Sequence, residues 1–256
     1  MTIEDYAGKV AVVTGAGRGI GRAVVRDLAR SGADIGMCSR SPEELGVLAA
    51  EVRALGRRVV SRPTDVSEWD QVQAFSRDVL DEFGHVDLLF NNAGTSIDRG
   101  PVAESDPATW RQVIDVNLTG VYHVARAFIN DMPRGGKILN TGSGIVHGPP
   151  PDTSSYTASK AGVHAFTGVL AMEVFEQGIC VNTLLPGPVA TMMAQNWATG
   201  SSEEEILAEF EGKPSPFSPS SLVKPVSEIA DFVHYIFSFA ETGPTGQIFS
   251  LNRRPF

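Results

Sequence analysis

The chain has 256 residues, 42% hydrophobic and 20% charged, with 26 glycines and a formal net charge of −9 at pH 7. That apolar share is too high for a disordered chain, and the acidic balance argues against nucleic acid or an anionic membrane surface as partner. No segment approaches the roughly 20 uninterrupted apolar residues of a membrane span, the start MTIEDYAGK lacks a signal-peptide core, and the five histidines show no metal-ligand spacing, so a cytoplasmic protein without a structural metal is expected.

Along the chain, short continuous apolar runs alternate with longer segments of helical period. KVAVVT (9–14) leads into the turn TGAGRGIG (14–21) and a helical stretch at 19–31. Gly15, Gly19 and Gly21 there permit a tight turn, close approach of a phosphate to the backbone and close packing of helix on strand. The helix start adds free N–H groups and a positive dipole for a pyrophosphate. DIGMC (34–38) follows, then a helix at 42–55 whose Ser41-Pro42-Glu43-Glu44 start supplies a cap, a first-turn proline and acids for the dipole. RVVS (58–61), a helix at 68–83 and VDLLF (86–90) come next, with Ser67-Glu68 expected to cap that helix. A helix at 107–131 opens on Asp106-Pro107, and GKILNT (136–141), a helix at 156–177 and ICVNTLL (179–185) follow. After an irregular insert at 190–226, with a short helix at 201–211, the chain closes with a helix at 227–239 and the run GQIFSL (246–251). Continuous apolar runs suit strands buried on both faces. The alternation therefore predicts an α/β fold: one domain over 1–256, a doubly wound parallel sheet of Rossmann type with helices on both faces. An insert as long as 190–226 in such a domain reads as a lid or loop. Cys38 and Cys180 lie in apolar runs and are expected to be buried free thiols.

Tyr156 and Lys160, in SSYTASKAG (154–162), are four apart and share a helix face. A free tyrosine, with pKa near 10, is a poor proton donor or acceptor at neutral pH, and a nearby cation lowers that value. Beyond the second strand, Cys38-Ser39-Arg40 holds no acid where a cofactor's 2′-hydroxyl would be bound in NAD-using folds, while Arg40 and Arg18 could grip a 2′-phosphate. NADP(H) is expected over NAD(H).

TGAGRGIG, NNAG (91–94), DVNLTG (115–120), Ser143, YTASK (156–160) and PGPVAT (186–191) occur in this order over nearly the whole chain. Together they resemble the short-chain dehydrogenase/reductase family, whose close relatives include 3-oxoacyl reductases. The resemblance implies an oxidoreductase that interconverts a carbonyl and an alcohol. Ser143 would hold the carbonyl oxygen, Tyr156 would act as general acid or base, and Lys160 would tune Tyr156 and hold the nicotinamide ribose. Asn117 would distort its helix and anchor a water leading to Lys160. The cofactor would be lined by Gly15, Arg18, Gly19, Ile20 and Gly21 at the pyrophosphate and Ser39 and Arg40 at the 2′ position. Asp65 and Val66 would lie at the adenine, Asn91, Ala93 and Gly94 at the ribose, and Pro186, Gly187, Val189 and Thr191 at the nicotinamide. A homo-oligomer, tetramer or dimer, is implied as well.

The chain departs from the family pattern at Gly142-Ser143, where two serines are common, and at the ending Asn252-Arg253-Arg254-Pro255-Phe256, where an acid and a glycine pair are usual. Specificity for a small carbonyl or alcohol is expected from 95–99, 144–153 and 190–226, with Met192, Met193, Trp197, Phe210 and Phe217 forming an apolar wall or packing the insert. His147 either contacts substrate or is incidental. Two other readings stand beside the small-molecule one: reduction of a 3-oxoacyl group on a carrier protein or coenzyme A, and a cofactor-binding regulator without catalysis.

Overall fold

The strands form where the chain offers apolar residues on both sides of the backbone. In the computed structural model, which describes residues 6–196, 198–216 and 218–252, β1 spans Val10–Thr14 and every one of its residues is buried. Its side chains divide by alternation. Ala11 and Val13 enter one core cluster, Val10 and Val12 the other. A continuous apolar run therefore marks a strand covered on both faces.

Around β1 the chain builds α1 (Gly19–Arg30), β2 (Asp34–Ser39), α2 (Pro42–Ala54), β3 (Val59–Pro63), α3 (Trp69–Phe83) and β4 (Leu88–Asn91). The second half adds α4 (Pro107–Ile114), α5 (Gly120–Phe128), β5 (Lys137–Thr141), α6 (Ser154–Glu173) and β6 (Cys180–Leu185). After the insert come α8 (Val226–Phe237) and β9 (Ile248–Ser250). Seven strands make one parallel sheet in the order β3-β2-β1-β4-β5-β6-β9. The order reverses between β1 and β4, the switch point at which such sheets open a crevice beyond the strand carboxyl ends.

One face is packed by Val24, Val25 and Leu28 of α1, Leu45 and Leu48 of α2, and Ile229, Val233 and Ile236 of α8. The other is packed by Val72, Phe75 and Val79 of α3, Val124 and Phe128 of α5, and Leu170 of α6. Phe75 and Phe128 meet edge to face with centroids 5.9 Å apart, and truncating either to alanine should cost about 3–5 kcal/mol.

The caps at Ser41 and Asp106 form as their sequences suggest. The Ser41 hydroxyl accepts from Glu44 N, and the Asp106 carboxylate accepts from Ala108 N and Thr109 N. The Ser67-Glu68 cap does not: Glu68 holds the N-cap position without a side-chain bond, and Ser67 turns back onto the Asp65 carboxylate. The helix expected at 107–131 is interrupted. Residues Asp115–Thr119 form a π-turn in which Gly120 N donates to Asp115 O.

The insert holds more order than its composition suggests. It contains α7 (Glu203–Glu209), capped by Ser202 accepting from Glu205 N, and a short antiparallel pair, β7 (Pro214–Ser215) with β8 (Ser218–Leu222). Ile206 packs there with Ala190 and Ala194, and Phe210 lies against them. Trp197, Phe217 and residues 253–256 lie outside the described residues. Cys38 and Cys180 are buried free thiols; burial pushes Cys38 up to about 12, which leaves it unreactive. Among the described residues no helix is long and apolar enough to cross a membrane.

Candidate active site

A cleft of about 650 Å³ opens beyond the carboxyl ends of the strands. Its first wall is the turn after β1. Gly15 and Gly19 have φ of 62° and 56°, a region side chains disfavour. A Cβ on Gly15 would stand 2.8 Å from Ala93 Cα, and one on Gly17 would stand 2.5 Å from Glu44 Oε2. Arg18 occupies the N-cap of α1 without a side-chain hydrogen bond, so the N–H groups of the first turn open onto the cleft without a side-chain cap. An uncapped N-terminus in a glycine cradle fits a pyrophosphate. Of the roles expected for Gly21, the structure gives it the packing one and not that of lining the cofactor cleft. It is buried and does not line the cleft, and a Cβ there would strike Gly15 O, so it sets the packing of helix on turn.

Beyond the glycine turn, Arg18, Ile20, Ser39, Arg40, Asp65 and Val66 line the cleft, with Ala93 and Gly94 beside them. Asn91 is corrected. Its side chain is 2% exposed and donates to Asn140 Oδ1 at 2.9 Å, inside the sheet rather than in the cleft. The next residue lines the wall instead: Asn92 Nδ2 donates to Thr14 O and Gly15 O and ties the two loops together. Glu44 also lines this end, near Ser39 Oγ, and brings an acid to the place where sequence reading saw only arginines. Its position as the third residue of α2 was readable, but only as a dipole partner.

At the other end, Thr141, Ser143, Tyr156, Lys160, Pro186, Gly187, Val189 and Thr191 line the cleft. Ser143 ends the loop after β5, and its hydroxyl accepts from Ile145 N at 3.3 Å. Tyr156 and Lys160 stand one turn apart on α6, with Nζ 5.8 Å from the tyrosine ring centroid. Lys160 is 3% exposed and donates to Thr141 O at 2.7 Å. Burial pushes its pKa down to about 8. The Tyr156 phenol is raised by burial, while a hydrogen bond with Ser143 and the charge of Arg99 pull it back. Arg99 is a charge acting on the phenol that the sequence reading did not name, in addition to Lys160 one helical turn away.

Asn117 lies behind the cleft in the π-turn, fully buried. Its Oδ1 accepts from Thr95 N at 2.7 Å, and its Nδ2 donates to Thr95 O at 2.9 Å and to Ser159 Oγ at 3.1 Å. Ser159 in turn donates to Tyr156 O at 2.7 Å. A chain of side-chain bonds therefore runs from the segment 95–99 through Asn117 to the backbone of Tyr156.

His147 does not line the cleft; its ring lies 5.9 Å from that of His164. His164 continues the face of Tyr156 and Lys160 by one more turn, and burial, then the charges of His147 and Lys160, push it to about 4. The spacing 156, 160, 164 was the available signal for it. Met192 and Met193 line the substrate end as expected, whereas Phe210 packs the insert. Asn252, first residue of the atypical tail, also lines the cleft, beside Gly187.

A doubly wound parallel sheet with a glycine turn at its switch point and a Ser–Tyr–Lys group at the strand ends defines an oxidoreductase-type nucleotide fold. The family model described as short chain dehydrogenase matches residues 9–202. The chain is 35% identical to the 3-oxoacyl-(acyl-carrier-protein) reductase of Haemophilus influenzae, over 73% of this chain and 77% of that protein. It is 32% identical to the 2,3-dihydro-2,3-dihydroxybenzoate dehydrogenase of Bacillus subtilis, over 93% and 92%. Among solved structures it is similar to a short chain dehydrogenase from Burkholderia cenocepacia in complex with NADP, with a TM-score of 0.84, 28% identity and coverage of 97% and 98%. Carveol dehydrogenase from Mycobacterium avium in complex with NAD is equally similar, with a TM-score of 0.84, 28% identity and coverage of 97% for both chains. The protein belongs to the short-chain dehydrogenase/reductase family and is 3-oxoacyl-reductase-like in sequence.

Proposed function

We propose that the protein is an NADP(H)-dependent oxidoreductase that interconverts a carbonyl and a secondary alcohol, with Tyr156 as general acid and base. The observation that carries this reading is the meeting of Ser143, Tyr156 and Lys160 at one end of a cleft whose other end is an uncapped helix start in a glycine cradle. A nicotinamide cofactor held along Gly15–Gly19, Ser39, Arg40, Lys160 and Thr191 would supply hydride chemistry. The chain's own residues handle the oxygen. Ser143 donates to the carbonyl oxygen and keeps it against the Tyr156 hydroxyl, which gives up its proton as charge develops there. Lys160, protonated at neutral pH, stabilises the phenolate left behind. Asn117, tied to Thr95, Ser159 and so to Tyr156, holds the helix in the position the proton transfer needs.

Preference for NADP(H) rests on Arg18 and Arg40 in the cleft wall and on Ser39 in place of an acid, against which Glu44 weighs. Relatives with NADP and with NAD are equally similar in fold, so charge alone argues the case. The second reading, reduction of a 3-oxoacyl thioester, is favoured by the Haemophilus relative. The test is oxidation of NADPH, with NADH in parallel, across ketones, quinones, hydroxysteroid-type ketones and acyl thioesters. Turnover of a ketone with at least about tenfold better kcat/KM for NADPH is expected. Equal or better use of NADH would overturn the cofactor assignment, and exclusive use of thioesters would select the second reading.

A further inference from the structure

The end of β2 and the first turn of α2 meet against the glycine turn. A Cβ on Gly17 would stand 2.5 Å from Glu44 Oε2 and 2.9 Å from Ser39 Oγ, so carboxylate and hydroxyl flank one point of the cleft wall. Gly17 leaves the space that the Glu44 carboxylate fills. Four charged residues line this end of the cleft: Arg18, Arg40, Glu44 and Asp65. The Asp65 carboxylate is engaged, accepting from Ser67 N at 3.0 Å and from Ser67 Oγ at 2.7 Å. Among the described residues, the Glu44 carboxylate has no hydrogen bond, and no ion pair joins it to Arg18 or Arg40. An acid and two guanidinium groups thus face the same space without neutralising one another.

Ser39 closes β2, where NAD-using folds place the acid that binds the ribose 2′-hydroxyl. Here a carboxylate reaches the neighbourhood of that position from the next helix, five residues further on. A carboxylate accepts a hydroxyl proton in a charge-assisted bond, and it repels a phosphate brought to the same wall. The arginines act in the opposite sense, since a guanidinium grips phosphate with paired donors. We propose that Glu44 is a specificity-determining residue at the adenosine end of the cofactor. Its carboxylate accepts from the ribose 2′-hydroxyl of NAD(H) and opposes the 2′-phosphate of NADP(H), so the chain binds both cofactors and the preference given by the arginines is held down. The proposal rests on the reading of this cleft as a nicotinamide dinucleotide site, and it adds to that reading the residue that sets how far the preference goes.

The experiment measures dissociation constants for NADPH and NADH by cofactor fluorescence on the ligand-free wild type, Glu44→Gln and Glu43→Gln. Glu43 is the neighbouring acid on α2, exposed and outside the cleft lining, with its carboxylate accepting from Ser41 Oγ. Wild type should bind both cofactors, NADPH the more tightly. Glu44→Gln should tighten NADPH and weaken NADH, moving the ratio of the two constants at least about tenfold toward NADPH. The gain for NADPH should shrink in about 0.5 M salt, as a charge effect does. Glu43→Gln should leave the ratio within about twofold of wild type, because its charge lies outside the cleft. A ratio that Glu44→Gln leaves unchanged, or that Glu43→Gln moves as far, would overturn the proposal while leaving the dinucleotide reading in place. A wild type that binds neither cofactor would overturn both.

Discussion

Lys160 shows what the active site costs the fold. Its ammonium is buried with a single strong partner in Thr141 O, and its folded pKa of about 8 lies below the value near 10.4 of an unfolded lysine. Between those two values the unfolded chain binds more protons than the folded one, so this residue makes stability rise with pH through that window, by roughly 3 kcal/mol at most. Below about pH 8 the burial penalty is present in full. Lys160→Met should therefore lose at least about 100-fold in kcat yet melt no lower than wild type at pH 7. Thermal melts of the ligand-free protein from pH 7 to 10 provide the check: the wild-type-minus-variant stability difference should climb with pH. A flat difference would remove the buried charge from the account. Tyr156 and Lys160 were legible from their spacing, which puts i and i+4 on one helix face, read together with the motifs that accompany it along the chain. Arg99 was not, because its effect on the phenol depends on how a loop remote in sequence is folded back.

At the scale of elements, the π-turn at Asp115–Thr119 joins fold to chemistry. Its wider turn accompanies a buried Asn117 that satisfies both backbone groups of Thr95 and reaches Ser159. Replacing Asn117 by alanine leaves those buried groups without partners, and each such loss costs about 1–3 kcal/mol. We expect Asn117→Ala to lower unfolding stability by roughly 2–4 kcal/mol in urea and to reduce kcat as well. Stability within 0.5 kcal/mol of wild type would contradict the clamp. The regular elements were readable because burial on both faces leaves a continuous apolar run: 34–38 became Asp34–Ser39 and 179–185 became Cys180–Leu185. What the sequence hid follows from tertiary contacts. The turning of Asn91 into the sheet depends on Asn140, and the β7–β8 pair has a bulged register and no alternating pattern to announce it; the break at Asp115–Thr119 was legible only through the family resemblance, which implies that Asn117 distorts its helix.

Over the whole molecule, α6 has two outward roles. One face carries Tyr156 and Lys160, and another exposes Val169 and Met172, with Phe175 just beyond the helix end. Met172 is 76% exposed and Phe175 is 59% exposed. Tyr122 of α5 is also exposed and packs edge to face on Phe166. Exposed apolar groups gathered on neighbouring helices suit burial against a second copy of the chain, the homo-oligomer that the family resemblance leads one to expect. Met172→Glu should shift the protein to a smaller species in light scattering and lower its melting temperature. An unchanged mass would place any interface elsewhere.

The central claim is that the Tyr156 hydroxyl delivers the proton in a cleft that holds the cofactor independently. The direct measurement is steady-state NADPH oxidation by Tyr156→Phe with a ketone that wild type reduces, alongside NADPH binding to the same variant. The account predicts a loss in kcat of about 10³-fold with NADPH affinity within about threefold of wild type. Turnover within tenfold of wild type, with the cofactor bound, would contradict it.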